Sequence, residues 1–452
     1  LLLFKVRFFD LFFSDKAIVD CDLMAYLNPA FKGILLYYFT ENWQIDCIFI
    51  IALIAYLCIL LGYKTRIAIA VAVAFICLFN FYERNRMFPI GGSDDILRLC
   101  LFWSFFLPLN RHYVFFRKVK EELGSIEIKS LAVYAMLLQI GSIYFFNAIN
   151  KSGADWADGT AVSYALMIFY VRGSYAQWLL SHQTLCAMLT YAVHYSSFLV
   201  LPLLFSPFYS KYARWVAIFF IISFHFGIAP FLNVYPFCVS TFPLVILLIP
   251  SEFWARLKFK PSIDREILQK NAPLSGKQTA MAAVIICFMA FAFFINISHI
   301  NKFTSKSGVK IESKMHDYFR LNQKWSMFAP NPYKYYGLIY TVGVLQDSSR
   351  INLVTGLPFN EEQEKIDLIS KPNLLHPAMI ALHDNAAKIS LENPVGQRLW
   401  KRWVNFYLTN WKEKHPKQPI QRIIITCISS QSISPGVYAL VNVRLICGAT
   451  LK

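Results

Sequence analysis

Charge is what this sequence has least of. Only 16% of its 452 residues are Asp, Glu, Lys or Arg, while 56% are apolar. A chain of this length could make two or three soluble domains, but it lacks the polar surface to cover them. Other signatures are missing as well. The ten cysteines show no CxxC and no Cys/His metal spacing, so no metal is expected. No GxSxG, no Walker loop, no internal repeat and no low-complexity segment occurs, which removes common hydrolase, nucleotide and solenoid readings. There is no signal peptide, and position 1 is Leu, so the true start is expected to lie upstream.

What is present is a series of apolar runs, several approaching the roughly 20 residues that a helix needs to cross a bilayer. They cover Ile45 to Leu61, Ile67 to Phe81, a short one from Ile96 to Leu107, Leu131 to Asn147, Leu185 to Phe205, Trp215 to Ile228, Phe237 to Ile249 and Met281 to Ile295. Leu1 to Phe13 reads as the remnant of a first helix. Together they predict an α-helical polytopic membrane bundle of about eight spans. Ala161 to Tyr170 is too short to span and reads as an interfacial or re-entrant helix. Cys58, Cys77, Cys100 and Cys287 fall in apolar runs and read as packing residues.

Lys and Arg outnumber Asp and Glu by 44 to 27. In a membrane protein that excess marks cytoplasmic loops, and no basic, aromatic-interleaved stripe suggests nucleic acid. Alternation puts Lys64/Arg66, the loop from Arg111 to Lys129, Lys211/Arg214 and the loop from Arg256 to Lys277 on one side. The positive-inside rule makes that side cytoplasmic and places Lys151 and the C-terminal tail outside. The expected location is the cell (inner) membrane, multi-pass, with lipids as partners and the tail on the outer, periplasmic face.

From about Asn301 the composition becomes that of a soluble domain. Tyr335 to Val344 and Ile351 to Val354 flank QDSS as a hairpin, and Gly396 to Trp411 carries Leu399, Trp403, Phe406 and Tyr407 at helical spacing. Ile420 to Ser429 and Gly436 to Cys447 read as strands. The division is a transmembrane domain at 1–299 and an extracytoplasmic α+β domain at 300–452. Cys427 and Cys447 would be able to pair in an oxidising compartment.

The stretch richest in chemistry is Tyr144 to Tyr164, YFFNAINKSGADWADGTAVSY. Lys151 is the first charge after an apolar helix, followed closely by Asp155, Trp156 and Asp158. An interfacial lysine that keeps its ammonium wet is one reading. A general base, its pKa lowered by burial unless Asp155 or Asp158 raises it again, is the other. His225 and His194 lie in apolar helices, where imidazole needs a partner; each is either a satisfied structural residue or a quinone contact or proton relay. GGSDD sets Asp94 and Asp95 either to cap the helix beginning at Ile96 or to face a cavity, with Arg98 their natural partner. Arg84 and Arg86 are candidates for an anionic group. Trp325, Met327 and Phe328 of QKWSMFAPNP read as a structural segment docking the tail.

The run NAINKSGADWADGTAVSYAL resembles the vitamin K-dependent γ-glutamyl carboxylases and their bacterial relatives, the horizontally transferred transmembrane (HTTM) domain family. MFPIGGSDDILRLCLFWSFFLPLN, FHFGIAP and QKWSMFAPNP are similar to further landmarks of that family, in its order. The likeness runs from about Phe8 to Trp403. At GGSDDILRL the animal carboxylases carry a His where this chain has acids, and no long insert resembles their propeptide-binding region.

The resemblance implies a carboxylase in which Lys151 deprotonates a reduced quinone, vitamin K or another. Oxygen then turns the quinone into a strong base, which removes a glutamyl γ-proton, and carbon dioxide captures the carbanion. The cofactors implied are the reduced quinone, O2 and CO2. The partners implied are a secreted or membrane protein substrate and a quinone reductase. An alternative is a non-carboxylating family member that binds or matures an exported peptide. A transporter is third, because the inverted repeats and paired broken helices of that class are missing.

Overall fold

The computed structural model describes residues 17–18, 41–85, 92–107, 109, 131–167, 173–232, 235–256, 276–298, 300, 325–362 and 394–450. Helices α1 (Asn42–Leu60) and α2 (Thr65–Asn85) are joined by the GYKTR turn, where Gly62 and Lys64 take positive φ. α3 (Gly92–Ser104) and α4 (Leu131–Asn150) follow. Three short pieces come next, α5 (Ala154–Ala157), α6 (Ala161–Ala165) and α7 (Gly173–Leu180), then the long α8 (Gln183–Leu204) and α9 (Ser210–Ile228). α10 (Tyr235–Ser240), α11 (Phe242–Leu248), α12 (Ser251–Arg256) and α13 (Gly276–Ser298) are the other helices of this part among the described residues.

Five of these helices, α1, α4, α8, α9 and α13, are long and apolar enough to cross a membrane. Of the shorter expected runs, Ile67 to Phe81 lies within α2, and the others come out differently. Phe237 to Ile249 is broken at Thr241 into α10 and α11, with a proline at the start of the second piece, which supplies no backbone N–H to continue a helix. Ile96 to Leu107 lies mostly in α3, which has 13 residues. Leu1 to Phe13 lies outside the described residues. Of Ala161 to Tyr170, expected as an interfacial or re-entrant helix, residues 161–167 are described. α6 is five residues long and buries Ala161, Ser163 and Tyr164, with the Val162 N–H donating to Thr190 Oγ1 of α8.

α4 is the central helix. In its apolar stretch 67% of the residues are buried, against 22% in each of the other four long helices. Its inward residues include five small ones, Ala132, Ala135, Gly141, Ser142 and Ala148. Small side chains let helix backbones approach, which matters because lipid tails give apolar helices no hydrophobic reason to associate. Gly141 makes the closest approach. A Cβ there would strike the Leu201 side chain and lie 3.1 Å from Leu201 Cα of α8.

The tail holds an antiparallel four-stranded sheet in the order β2-β1-β3-β4, made of β1 (Tyr335–Leu345), β2 (Arg350–Asn352), β3 (Ile420–Ser434) and β4 (Val437–Thr450). Among the described residues one further helix, α14 (Pro394–Lys414), precedes β3. It buries Leu399, Trp403 and Tyr407 at helical spacing, and Trp403 Nε1 donates to Thr341 Oγ1 of β1 at 2.8 Å. The hairpin, the helix and the two long strands fall where the pattern puts them. The register sets Cys427 opposite Arg444 and Cys447 opposite Ile425, and Cys427 is a free thiol.

Candidate functional site

The end of α4 carries polar residues on one face. Tyr144, Asn147 and Lys151 follow at spacings of three and four, so they share that face. Lys151 is the first residue beyond the helix, its N–H still donating to the carbonyls of Asn147 and Ala148. A helix C-terminus favours a cation, yet Lys151 is only 3% exposed. Its ammonium sits 4.3 Å from the Trp156 ring centroid and 5.7 Å from that of Phe224.

The enclosure is made by the segment from Trp325 to Asn331. Asn147 Nδ2 donates to the Met327 carbonyl at 3.2 Å and Asn150 Nδ2 to the Trp325 carbonyl at 3.0 Å. Gly153 N–H reaches Pro330 O, Asp155 N–H reaches Asn331 Oδ1, and Trp156 Nε1 reaches Phe328 O at 2.9 Å. Gly153 must be glycine for this contact, since a Cβ would overlap the Asn331 amide. The expected docking role of this segment is therefore joined to a second one. Trp325, Ser326, Met327 and Phe328 wall the space around Lys151.

That space is a cavity of about 260 Å³. Its lining mixes rings, Tyr144, Phe224, Phe237 and Trp325, with the polar side chains of Lys151, Asp95, Asn147 and Ser197. Burial lowers Lys151 to about 7 from its ordinary 10.5. Among the described residues no carboxylate comes within salt-bridge distance of it. Asp155 is the nearest acid in sequence, but it is turned away. Its Oδ1 holds Lys334 Nζ at 2.8 Å, and Lys334 lies 3.8 Å over the Tyr164 ring. Asp158 is exposed, so neither acid restores the lysine's charge.

The other expected residues divide. Asp95 lies in the first turn of α3, lines the cavity and pairs with buried Arg98 at 2.7 Å. The helix begins at Gly92, earlier than Ile96, so the two acids are inside its first turn and not ahead of it. The two histidines take separate places. His225 Nε2 is 3.0 Å from the hydroxyl of Tyr144 in the cavity wall. His194 stacks on Trp156 with ring centroids 5.8 Å apart. The side chains of Asp94 and Arg84, and Arg86 altogether, lie outside the described residues. No group of three His, Cys, Asp or Glu side chains gathers among the described residues.

Tyr144, Asn147, Phe224, Phe237 and Ser197 were not singled out in the sequence. A signal existed for the first two, since an apolar helix that places a phenol and an amide on the same face as its terminal lysine marks that face as inward. Phe224 and Phe237 had none, because nothing distinguishes them from other aromatics of the chain. Compared with models of protein families, with curated proteins and with solved structures, the chain matches none.

Proposed function

We propose that this chain is a multi-pass membrane protein of the vitamin K-dependent γ-carboxylase type, an HTTM-family member in which Lys151 takes a proton from a reduced quinone. The observation that carries this reading is a buried lysine brought to about 7 in a ring-lined cavity with no described carboxylate to hold its proton. An amine poised near neutral pH is the state a general base needs.

The residues suit a hydroquinone. Tyr144, Phe224, Phe237 and Trp325 present ring faces and edges to an aromatic guest, and the volume is close to the lower end of the roughly 300–1,000 Å³ usual for small-molecule pockets. Bound there with dioxygen, the reduced quinone would supply the base that removes a glutamyl γ-proton, leaving the carbon to add carbon dioxide.

The chain's own groups do the rest. Neutral Lys151 accepts the hydroxyl proton, and the Trp156 face stabilises the ammonium that results. Lys334 keeps Asp155 occupied, so no carboxylate fixes Lys151 in its charged form beforehand. The segment from Trp325 to Asn331 closes the site and excludes water, which a strong base requires. The positive-inside rule puts this closing segment and the sheet on the outer, periplasmic side of the cell (inner) membrane, where an exported glutamyl substrate would arrive. A quinone reductase would be the partner that regenerates the reduced cofactor.

The test is epoxide formation from reduced vitamin K by the purified, lipid-reconstituted protein, beside folded Lys151→Ala. Epoxide from the wild type alone supports the reading. None from folded wild type across several reduced quinones sinks it, and binding or maturation of an exported peptide then takes its place.

A further inference from the structure

Two ionisable groups face the cavity from different elements. Lys151, at the end of α4, has the rings of Trp156 and Phe224 as neighbours. Asp95 lines the same space from the first turn of α3. That turn has other neighbours, since a Cβ placed on Gly92 would lie 3.2 Å from the Phe237 ring and 3.9 Å from Met327 Cε. Among the described residues no ion pair joins Lys151 to Asp95, so the space between them is open to a guest.

Asp95 is within a guest's reach. Its Oδ1 is turned to buried Arg98 at 2.7 Å, yet the side chain keeps 14% exposure and lines the cavity. An Asp held by a buried guanidinium is a carboxylate. Its two oxygens offer about four acceptor sites, so the pairing with Arg98 leaves room for a further donor. Neutral Lys151, Asn147, Ser197, Ser326 and Tyr144 also line the cavity, and each of them donates as well as accepts. Among the described side chains around this space, Asp95 is the one strong acceptor that cannot donate. A reduced quinone and its oxidised form have nearly the same shape and differ in this very respect. The first presents hydroxyls that donate, the second carbonyls that only accept.

We propose that Asp95 makes the cavity selective for the reduced form of its guest, a para-dihydroxy ring that gives one hydroxyl to Lys151 and the other to Asp95. The inference rests on the reading of Lys151 as the base that acts on a reduced quinone. A hydroxyl donates to the carboxylate, whereas a carbonyl placed there sets acceptor against acceptor and leaves a buried charge without compensation. Lys151 cannot make the distinction, because a neutral amine accepts from a hydroxyl and donates to a carbonyl. An oxidised guest therefore yields the site to a reduced one in a membrane that holds both.

The experiment measures binding of 2,3-dimethyl-1,4-naphthohydroquinone and of the matching quinone, without oxygen, to the full chain in lipid nanodiscs. Equilibrium dialysis reads it, with empty nanodiscs subtracted. Wild type should bind the hydroquinone about tenfold or more tightly, since a hydrogen bond to a charged group exceeds an ordinary one. A tenfold preference also raises the potential of the bound two-electron couple by about 30 mV, which redox titration reads independently. The preference should persist in Lys151→Met and vanish in Asp95→Asn, whose amide both donates and accepts. Because Asp95→Asn deprives buried Arg98 of a counter-charge, Asp95→Asn combined with Arg98→Gln is the second variant and should show the same loss. Equal binding of the two forms by wild type, a preference that disappears in Lys151→Met, or one that survives in either folded Asp95 variant overturns the proposal and leaves the Lys151 reading standing. Binding of neither form overturns both.

Discussion

The Lys151 ammonium stands 4.3 Å from the centroid of the Trp156 ring. The same indole donates its N–H to the Phe328 carbonyl, so one side chain both faces the buried cation and anchors the segment that buries it.

The first prediction concerns pH. Lys151 is lowered from 10.5 to about 7 by burial. Below pH 7 it is protonated both folded and unfolded, and the full cost of burying the charge is present. Between 7 and 10.5 only the unfolded chain holds the proton, so stability rises with pH and the penalty is gone above that window. At about 1.36 kcal/mol per pH unit the effect is capped at roughly 5 kcal/mol. Lys151→Met should be the more stable protein at pH 6 and should lose this rise. Thermal unfolding in nanodiscs from pH 6 to 10 measures it, and parallel curves for the two proteins would refute it.

Trp156→Phe keeps a ring beside the cation but deletes the bond to Phe328. The expected cost is about 1 kcal/mol, with the carbonyl left unpaired. Hydrogen exchange should quicken at the Gly153 and Asp155 amides, which donate to the same closing segment. Unchanged exchange there would mean that the indole does not anchor the segment.

Lys334 and Asp155 form a part-buried pair at 2.8 Å. Lys334→Met leaves a carboxylate that is 9% exposed without its counter-charge, a loss of about 3 kcal/mol. Adding Asp155→Asn should recover much of it. A double-mutant cycle on stability decides, and simple additivity of the two changes would show that they do not interact.

Gly141→Leu should destabilise the α4–α8 contact by about 1–3 kcal/mol or more, because overpacking a close helix crossing forces the backbones apart. The partner change Leu201→Ala makes room and should restore part of the loss. Unfolding temperatures of the single and double variants provide the check.

Much of this was legible along the chain. Apolar runs of sufficient length located the five long helices because a bilayer-crossing helix must be apolar over its whole length. Alternation and turn residues located the hairpin and β3–β4. Short runs were less legible: Ile67 to Phe81 lies within the continuous α2, whereas the 13 residues with an internal Thr-Phe-Pro could not say whether they make one helix or two. The partner chosen by Asp155 was hidden as well. Lys334 is far along the chain, and only the folded tail brings it near.

The sequence by itself determined which segments are apolar, where the lysine stands at a helix end, and which polar residues share its face, because helical and strand periodicities are local properties. Only the tertiary structure decided that Lys151 is buried, that Asp155 is held away from it, and that His225 meets Tyr144. Burial, pairing and cavities arise where distant segments meet. Here the meeting is of α4 with residues 325–331, and the spacing of residues along one segment carries no record of which other segment will cover it.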